Sequence, residues 1–99
     1  MNDVCWTWDE NKNRSNLRKH GLSFETAALV FADPLLLQRP DPHSVEERWL
    51  TVGLVGNVVV VVSHTSPDLE TGAEPGMGRI ISARKATSHE RRAYEEEEF

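Results

Sequence analysis

The sequence predicts an α+β domain with N-terminal helices, a small antiparallel sheet and a C-terminal helix. Three observations carry this prediction: an N-terminal segment with helix start and stop signals, a central hairpin pattern with five consecutive valines, and a final strand followed by a capped helix. With 99 residues the chain is long enough for one thin core, so we predict a single domain over residues 1–99.

The first strand and helix are marked by alternation and by caps. Large side chains alternate with smaller ones over residues 4–8, which indicates a short strand. Asp9 can cap a helix that runs to about His20, and Gly21 supplies the left-handed residue that ends it.

A second helix is predicted from Ser23 to Asp33-Pro34, and a short strand over residues 35–38. The apolar residues fall at i, i+3, i+4 and i+7 on one helix face, as expected for a buried stripe. They are Phe24, Ala27, Ala28 and Phe31.

Residues 48–54 and 58–64 form a predicted antiparallel pair. Gly56-Asn57 between them is a turn dipeptide of the kind that hairpins prefer. The five valines at 58–62 indicate a central strand covered on both faces.

The C-terminal third begins with a predicted long loop over residues 66–78, rich in Pro, Gly and acid. A last strand over residues 78–83 follows. Thr87 and Glu90 then fit a capping box that starts the final helix. The acidic residues 95–98 sit at the negative end of that helix, so we expect residues 95–99 to form a frayed, solvated tail.

Charge is unevenly distributed along the chain. The formal net charge is −5, yet residues 79–94 carry +4 and the remainder −9. Residues 12–19 hold four basic side chains and no acid. Charge alone leaves two interpretations open: a basic functional face, or solvated charge on two surface helices.

Composition argues against several classes of protein. One cysteine, Cys5, cannot form an internal disulfide, and no apolar run approaches the roughly 20 residues of a membrane span. The N-terminal residues do not resemble a signal peptide. We therefore predict a cytoplasmic protein without membrane partners. The histidines lack ligand spacing, so no metal or other cofactor is expected; they are His20, His43, His64 and His89.

Three blocks of residues, in order along nearly the whole chain, carry a family resemblance. The first block is Trp8-Asp9, Lys12, Asn16, Lys19-His20-Gly21, Phe24 and Ala27; the second is Asp33-Pro34 and Glu47-Arg48-Trp49; the third is Ile80 to Thr87 with Glu90-Arg91 and Tyr94. With these blocks the chain resembles the BrnT family of toxins from bacterial type II toxin–antitoxin systems.

The resemblance implies a RelE-like toxin fold and a ribonuclease that inhibits translation and arrests growth. It also implies a BrnA-like antitoxin with a ribbon–helix–helix domain, so that operator DNA is bound only through the complex. One departure stands out. Family members typically follow the central strand with a tight Thr-Glu-Arg turn, whereas Thr65 here precedes the longer loop 66–78, and the expected basic residue is missing or displaced to Arg79.

Metal-free RNA cleavage needs positive charge at the phosphate. Arg84 is the first candidate, because it lies where the last strand meets the turn before the helix and its planar fork can hold two phosphate oxygens. A surface salt bridge is the alternative. Arg79, five residues earlier, shares a side of the sheet with Arg84 only if the strand bulges or twists. Lys85 and Arg91 are further RNA-binding candidates, or merely solvated charges.

The same reaction needs a base for the ribose 2′-hydroxyl. His64 at the end of the valine strand is a candidate base or a structural histidine. Tyr94 is a candidate proton donor or base-stacking residue, or packs on the sheet. Arg48 beside Glu47 is a candidate catalytic residue, with a weak cross-strand ion pair as the alternative. Glu90 is better explained by helix capping.

Lys12 and Lys19 recur on one face of the first helix and could bind RNA or the antitoxin, or tie the helix to the sheet. Asn16 between them is interpreted as structural. The leading hypothesis is a metal-independent ribonuclease toxin. Two alternatives remain: an inactive toxin-like module that serves as antitoxin partner and co-repressor, favoured by the altered loop 66–78, and a gyrase-poisoning toxin of the same fold.

Overall fold

A computed structural model describes residues 4–66 and 76–99 of the chain. Most of the predicted loop 66–78 lies outside the described residues. The elements follow in the order β1 (Val4–Thr7), α1 (Glu10–His20), α2 (Phe24–Ala27), a 3₁₀ turn (Ala28–Ala32), β2 (Leu37–Pro40), β3 (Trp49–Val55), β4 (Val58–His64), β5 (Gly76–Lys85) and α3 (Ser88–Glu95).

The strands form one mixed sheet in the order β1-β5-β4-β3-β2. The prediction of an antiparallel sheet is wrong at one edge, because β1 runs parallel to β5, with Val4 opposite Gly76. The last strand begins at Gly76, two residues before the predicted start, and this added length is part of what pairs with β1. An alternating sequence indicates a strand but not its partner or direction, so this pairing has no local signal.

The central hairpin confirms its prediction. Strands β3 and β4 pair from Trp49 opposite His64 to Val55 opposite Val58, and Gly56 turns the chain with a φ of 61°. The valines of β4 alternate between two cores. We call the side of the sheet that carries Val60 and Val62 the first face, and the opposite side the second face; residues 59 and 61 point to the latter.

Helix α1 has the predicted caps but an unusual buried surface. The Asp9 carboxylate accepts from the amides of Asn11 and Lys12, and Gly21 ends the helix with a φ of 67°. Its buried residues are asparagines. The Asn16 side-chain amide donates to the carbonyls of Leu22 and Ala83 at 2.8 and 2.7 Å. It also accepts from the Ala83 amide at 3.1 Å, which ties α1 to the edge of β5.

The second predicted helix is only partly correct. Ser23 caps it as expected, but the α-helix ends after Ala27 and continues as the 3₁₀ turn. This turn brings Val30 onto Gly53 of β3, where a Cβ atom would lie 2.7 Å from Val30 Cγ2. The close approach of Val30 to β3 gives a tertiary reason for the change in winding, which the spacing of apolar residues does not encode.

Helix α3 begins with the predicted capping box and packs on the second face. Tyr94 and Ala86 there contact Val52 and its neighbours in β4. The first face instead carries Phe24, Ala27 and Val30. Helices therefore lie on both sides of the sheet, an arrangement that differs from the one expected from the resemblance. A RelE-like fold stays a prediction.

The acidic tail also differs from the expected frayed end. After α3 the amide of Glu98 donates to the Ala93 carbonyl at 2.8 Å, and Glu97 adopts a φ of 60°. The Phe99 ring packs against the second core and lies 4.7 Å below the Arg39 guanidinium. Phe99 thus anchors this segment, while the side chains of residues 95–98 are exposed.

Candidate nucleic-acid interface

The last strand changes its register against β4 at one point. Ile80 lies opposite His64, whereas Ser82 lies opposite Ser63. Two steps along β5 therefore match one step along β4, and Ile81 is the extra residue. This is the arrangement of a β-bulge, which shifts the side-chain alternation beyond it by one position.

The bulge brings two predicted phosphate ligands to the same side of the sheet. Ile80 and Ala83 both belong to the core of the first face although they are three residues apart. Arg79 comes one residue before Ile80, and Arg84 comes one residue after Ala83. Because neighbouring side chains in a strand point to opposite faces, both arginines point to the second face. The sequence predicted that these two arginines share a side of the sheet only if the strand bulges or twists, and the strand has such a bulge.

Arg84 is held by a bidentate ion pair with Glu90. The Nη1 and Nη2 atoms lie 2.6 and 2.9 Å from the two carboxylate oxygens. The hydrogen bond from Arg84 lowers the pKa of Glu90 to about 2, and the same bond raises the pKa of Arg84. The Arg84 side chain stays 41% exposed whereas Glu90 is 16% exposed. The pair therefore presents the arginine, and not the acid, to solvent.

Glu46 lies between two further arginines of the second face. Its carboxylate is 3.7 Å from the Arg48 guanidinium and 3.9 Å from that of Arg79. Arg48 therefore pairs with Glu46, two residues before it, and not with its predicted neighbour Glu47, and the same loop brings Glu46 to Arg79 of β5. The side chain of Glu46 is 65% exposed, so its carboxylate is open to a ligand.

Arg39 is a residue of this face that the sequence analysis missed. It lies opposite Leu50 in the β2–β3 pair and covers Phe99. The predicted strand ended at residue 38, so Arg39 fell outside it. Arg39 lies two residues after Leu37, which packs on the second core, so strand alternation places both on the same face. This spacing was the signal that could have found Arg39.

The second face thus gathers four arginines around an open strip of sheet. They come from three segments of the chain: the edge strand β2, the loop before β3, and β5 on both sides of its bulge. They are Arg39, Arg48, Arg79 and Arg84. Several guanidiniums on one sheet face suit an extended polyanion, because each can bind a phosphate without covalent chemistry.

His64 lies on the opposite face and is 1% exposed. Its Nδ1 donates to the Thr65 carbonyl at 2.7 Å, so its Nε2 accepts from the Thr51 hydroxyl at 2.6 Å. Burial lowers the pKa of His64, although the bond to Thr65 acts in the other direction. The edges of Trp6 and Phe31 also surround the ring. These contacts favour the structural alternative.

Tyr94 packs on the second core and its hydroxyl donates to Asp33 at 2.6 Å. This bond raises the pKa of Tyr94 to about 12. Burial opposes ionisation of Asp33, but the bonds from Tyr94 and from two backbone amides outweigh it and lower the pKa of that carboxyl. The contacts favour a packing role for Tyr94.

The remaining basic candidates lie away from the arginine face. Lys12 and Lys19 are exposed on α1 and line a groove of about 190 Å³ against the edge of β5. Lys85 lies opposite Val60, which assigns it to the first face. Arg91 is exposed on α3. The structure therefore separates residues that the sequence had grouped by charge.

Within residues 4–66 and 76–99, no three His, Cys, Asp or Glu side chains come together in a way that could hold a metal ion. No helix of the described ranges is long and apolar enough to cross a membrane. Cytoplasmic location stays a prediction.

Residues 8–90 match the family described as "Ribonuclease toxin, BrnT, of type II toxin-antitoxin system". The chain belongs to the BrnT toxin family. The four arginines, Glu46 and Glu90 lie inside the matched range, whereas Tyr94 and the tail lie outside it. BrnT toxins act in type II systems, in which each pairs with an antitoxin. No curated protein matches this BrnT-family sequence.

Proposed function

We propose that this BrnT-family chain cleaves RNA on the second face of its sheet, without a metal, and thereby inhibits translation. The observation that carries the proposal is the bulge at Ile81, which directs Arg79 and Arg84 to the same face as Arg39 and Arg48. The family is one of ribonuclease toxins, and this face has the positive charge that RNA requires.

Arg84 is the proposed ligand of the scissile phosphate. Glu90 occupies the end of its guanidinium, which leaves the Nε edge for two phosphate oxygens. Fixed positive charge there stabilises the charge that develops as the phosphate becomes pentacoordinate. Arg39, Arg48 and Arg79 bind flanking phosphates.

Glu46 is the proposed proton acceptor. It is exposed and adjoins Arg48 and Arg79, whereas the contacts of His64 and Tyr94 assign those residues structural roles in this proposal. The 2′-hydroxyl gives its proton to the Glu46 carboxylate, and the 2′-oxygen attacks phosphorus. The bond to the 5′-oxygen breaks, that oxygen takes a proton from water, and the resulting hydroxide takes the proton from Glu46, which restores the carboxylate. The products are a 2′,3′-cyclic phosphate end and a 5′-hydroxyl end.

The outlying basic residues extend the proposed contacts. Lys85 at the end of β5 and Arg91 on α3 lie away from the arginine face, and we assign them to RNA beyond the cleaved bond. Lys12 and Lys19 on α1 serve the same RNA or the antitoxin. For the antitoxin we propose a BrnA-like ribbon–helix–helix protein, through which the complex reaches operator DNA.

The test is RNA degradation by wild type and by Arg84→Ala, in buffer with a chelator. Wild type is expected to yield fragments with cyclic phosphate ends, and Arg84→Ala to leave the RNA largely intact. Arg18→Ala removes an exposed arginine of α1 and is the matched control, expected to behave as wild type. Intact RNA at stoichiometric wild-type protein would contradict the proposal.

The same protein preparation distinguishes the two alternatives. Antitoxin binding without RNA cleavage would favour the inactive binding module, for which the altered loop 66–78 is the motivating feature. Cleaved, linear DNA in a gyrase assay would favour the gyrase poison. No contact among the described residues favours either over the ribonuclease.

A further inference from the structure

We infer that Glu90 is a positioning residue, which holds the Arg84 guanidinium in the orientation that RNA cleavage needs. The inference rests on the proposed ribonuclease function and adds how that site is assembled. It gives Glu90 a role beyond helix capping, although Glu90 itself does not touch RNA.

One carboxylate makes three contacts, of which one lies in the cap of α3 and two reach Arg84 of β5. Glu90 Oε1 accepts from the Thr87 amide at 2.9 Å and from Arg84 Nη1 at 2.6 Å. Oε2 accepts from Arg84 Nη2 at 2.9 Å. The first contact is half of the capping box, and the Glu90 amide returns the other half by donating to the Thr87 hydroxyl at 3.2 Å. Helix initiation and arginine orientation therefore depend on the same group.

The geometry of the pair leaves Arg84 able to bind a phosphate. A guanidinium has five N–H bonds in one plane, and Glu90 takes one from each terminal nitrogen. Nη1 has a further, longer contact of 3.4 Å with the Lys85 carbonyl. None of these contacts, which are those of Arg84 with the described residues, uses Nε, so the edge formed by Nε and Nη2 can accept a second bidentate partner. A phosphate can bind there without displacing Glu90.

Positioning matters because an unpaired arginine on this strand would be free to move. A long side chain loses conformational freedom when it is fixed on a ligand, and Glu90 has removed that freedom before RNA arrives. The partly buried carboxylate lowers the net charge of the site, so its removal would strengthen RNA attraction. We therefore expect opposite effects on RNA binding and on the chemical step.

Glu90→Gln is the main test, because glutamine at this helix position retains a capping box and removes only the charge and the matched fork. We expect kcat to fall about tenfold to a hundredfold while KM for RNA stays equal or decreases. Thr87→Ala is the control for capping: it should lower the melting temperature and leave kcat unchanged below melting.

The dependence on Arg84 is tested in a second background. Lysine cannot form the two-pronged pair, so Glu90→Gln added to Arg84→Lys should cause no further loss of kcat. An equal loss in both backgrounds would overturn the inference, as would a Glu90→Gln protein with unchanged kcat. A raised KM at constant kcat would also overturn it.

A measurement without turnover separates this inference from the proposed function. In wild type the Arg84 Nη protons should give distinct NMR signals, because the ion pair slows rotation of the guanidinium, and Glu90→Gln should merge them while Thr87→Ala should not. If wild type fails to cleave RNA, the proposed function fails, and this spectrum still decides the positioning role. Identical Arg84 signals in wild type and Glu90→Gln would refute it.

Discussion

The two faces of the sheet use the same strands for different purposes. On the first face, His64 is buried and bonded between Thr51 and the Thr65 carbonyl, whereas the buried indole nitrogen of Trp49 has no hydrogen-bond partner among the described residues. On the second face, α3 covers a smaller apolar cluster and leaves the arginines at least partly exposed. Alternation along each strand separates the two sets, and a bulge decides on which side Arg79 falls relative to Arg84. Mutations on the two faces should therefore affect stability and activity separately.

The largest effect is expected from Arg84→Ala on the second face. Loss of a preorganised donor to a developing anion reduces rate by about a hundredfold to a thousandfold, so we expect kcat/KM for RNA to fall by that amount. Arg84→Ala also removes the ion pair with Glu90, so the urea midpoint should fall modestly, by about as much as in Glu90→Gln. A large shift of the unfolding midpoint would contradict the assignment of stability to one face and activity to the other.

Asn16→Ala on the other side should have the converse effect. It removes the side chain that bonds to Leu22 and Ala83 and leaves buried groups unpaired, so we expect a loss of about 2–3 kcal/mol in the free energy of unfolding. Urea denaturation measures this loss. Cleavage per folded molecule should not change.

Asn11→Ala alters an exposed asparagine of the same helix and is the matched control for Asn16→Ala. It should unfold near the wild-type midpoint. If both variants lose equal stability, the bonds of Asn16 to the β5 edge do not explain its effect.

Acidification should weaken the contact between α3 and β5, because it protonates the Glu90 carboxylate. The pKa of Glu90 is lowered from 4.5 to about 2, so its contribution to stability is present above the unfolded pKa and is lost as the pH falls toward 2. The stability difference between wild type and Glu90→Gln should thus be constant above about pH 5 and shrink below it. Urea midpoints at pH 7, 4 and 3 measure this, and a difference that grows on acidification would contradict the assignment.

The smallest effect is expected from Arg39→Ala at the sheet edge. A single phosphate contact contributes a slope of about 0.7 to the dependence of log affinity on log salt for a single strand, so the slope should fall by about that amount. Titration of a non-cleavable 2′-deoxy oligonucleotide at several salt concentrations measures it. Arg14→Ala on α1 should leave the slope unchanged; an equal decrease would mean that the bound strand is not confined to the second face.

Local signals in the sequence were sufficient for much of the fold. The caps at Asp9 and Gly21, the Gly56-Asn57 turn and the Thr87–Glu90 box depend on neighbouring residues, and the structure has all of them. The parallel pairing of β1 with β5 and the 3₁₀ turn depend on contacts between distant segments. No spacing rule within a single segment contains that information.

The candidate site followed the same division. Arg84 was found because a strand end before a capped helix is a local pattern. Residues five apart in a regular strand point to opposite faces, so the sequence also indicated that Arg79 and Arg84 need a bulge or twist to share a face. The contact of Glu46 with Arg48 and Arg79 depends on how a loop folds toward β5, which residue spacing does not reveal. The burial of His64 was equally hidden, because a strand-end position does not show what lies above it.

The bond between Asn16 and Ala83 has a consequence for the edges of the sheet. Strand β1 covers β5 only as far as Arg79, so the outer backbone groups beyond it would offer a template for pairing with another chain. The Asn16 amide meets the N–H and the carbonyl of Ala83 as a neighbouring strand would. A single side chain on a mostly polar helix thereby occupies the backbone groups that a foreign strand would need at this point of β5.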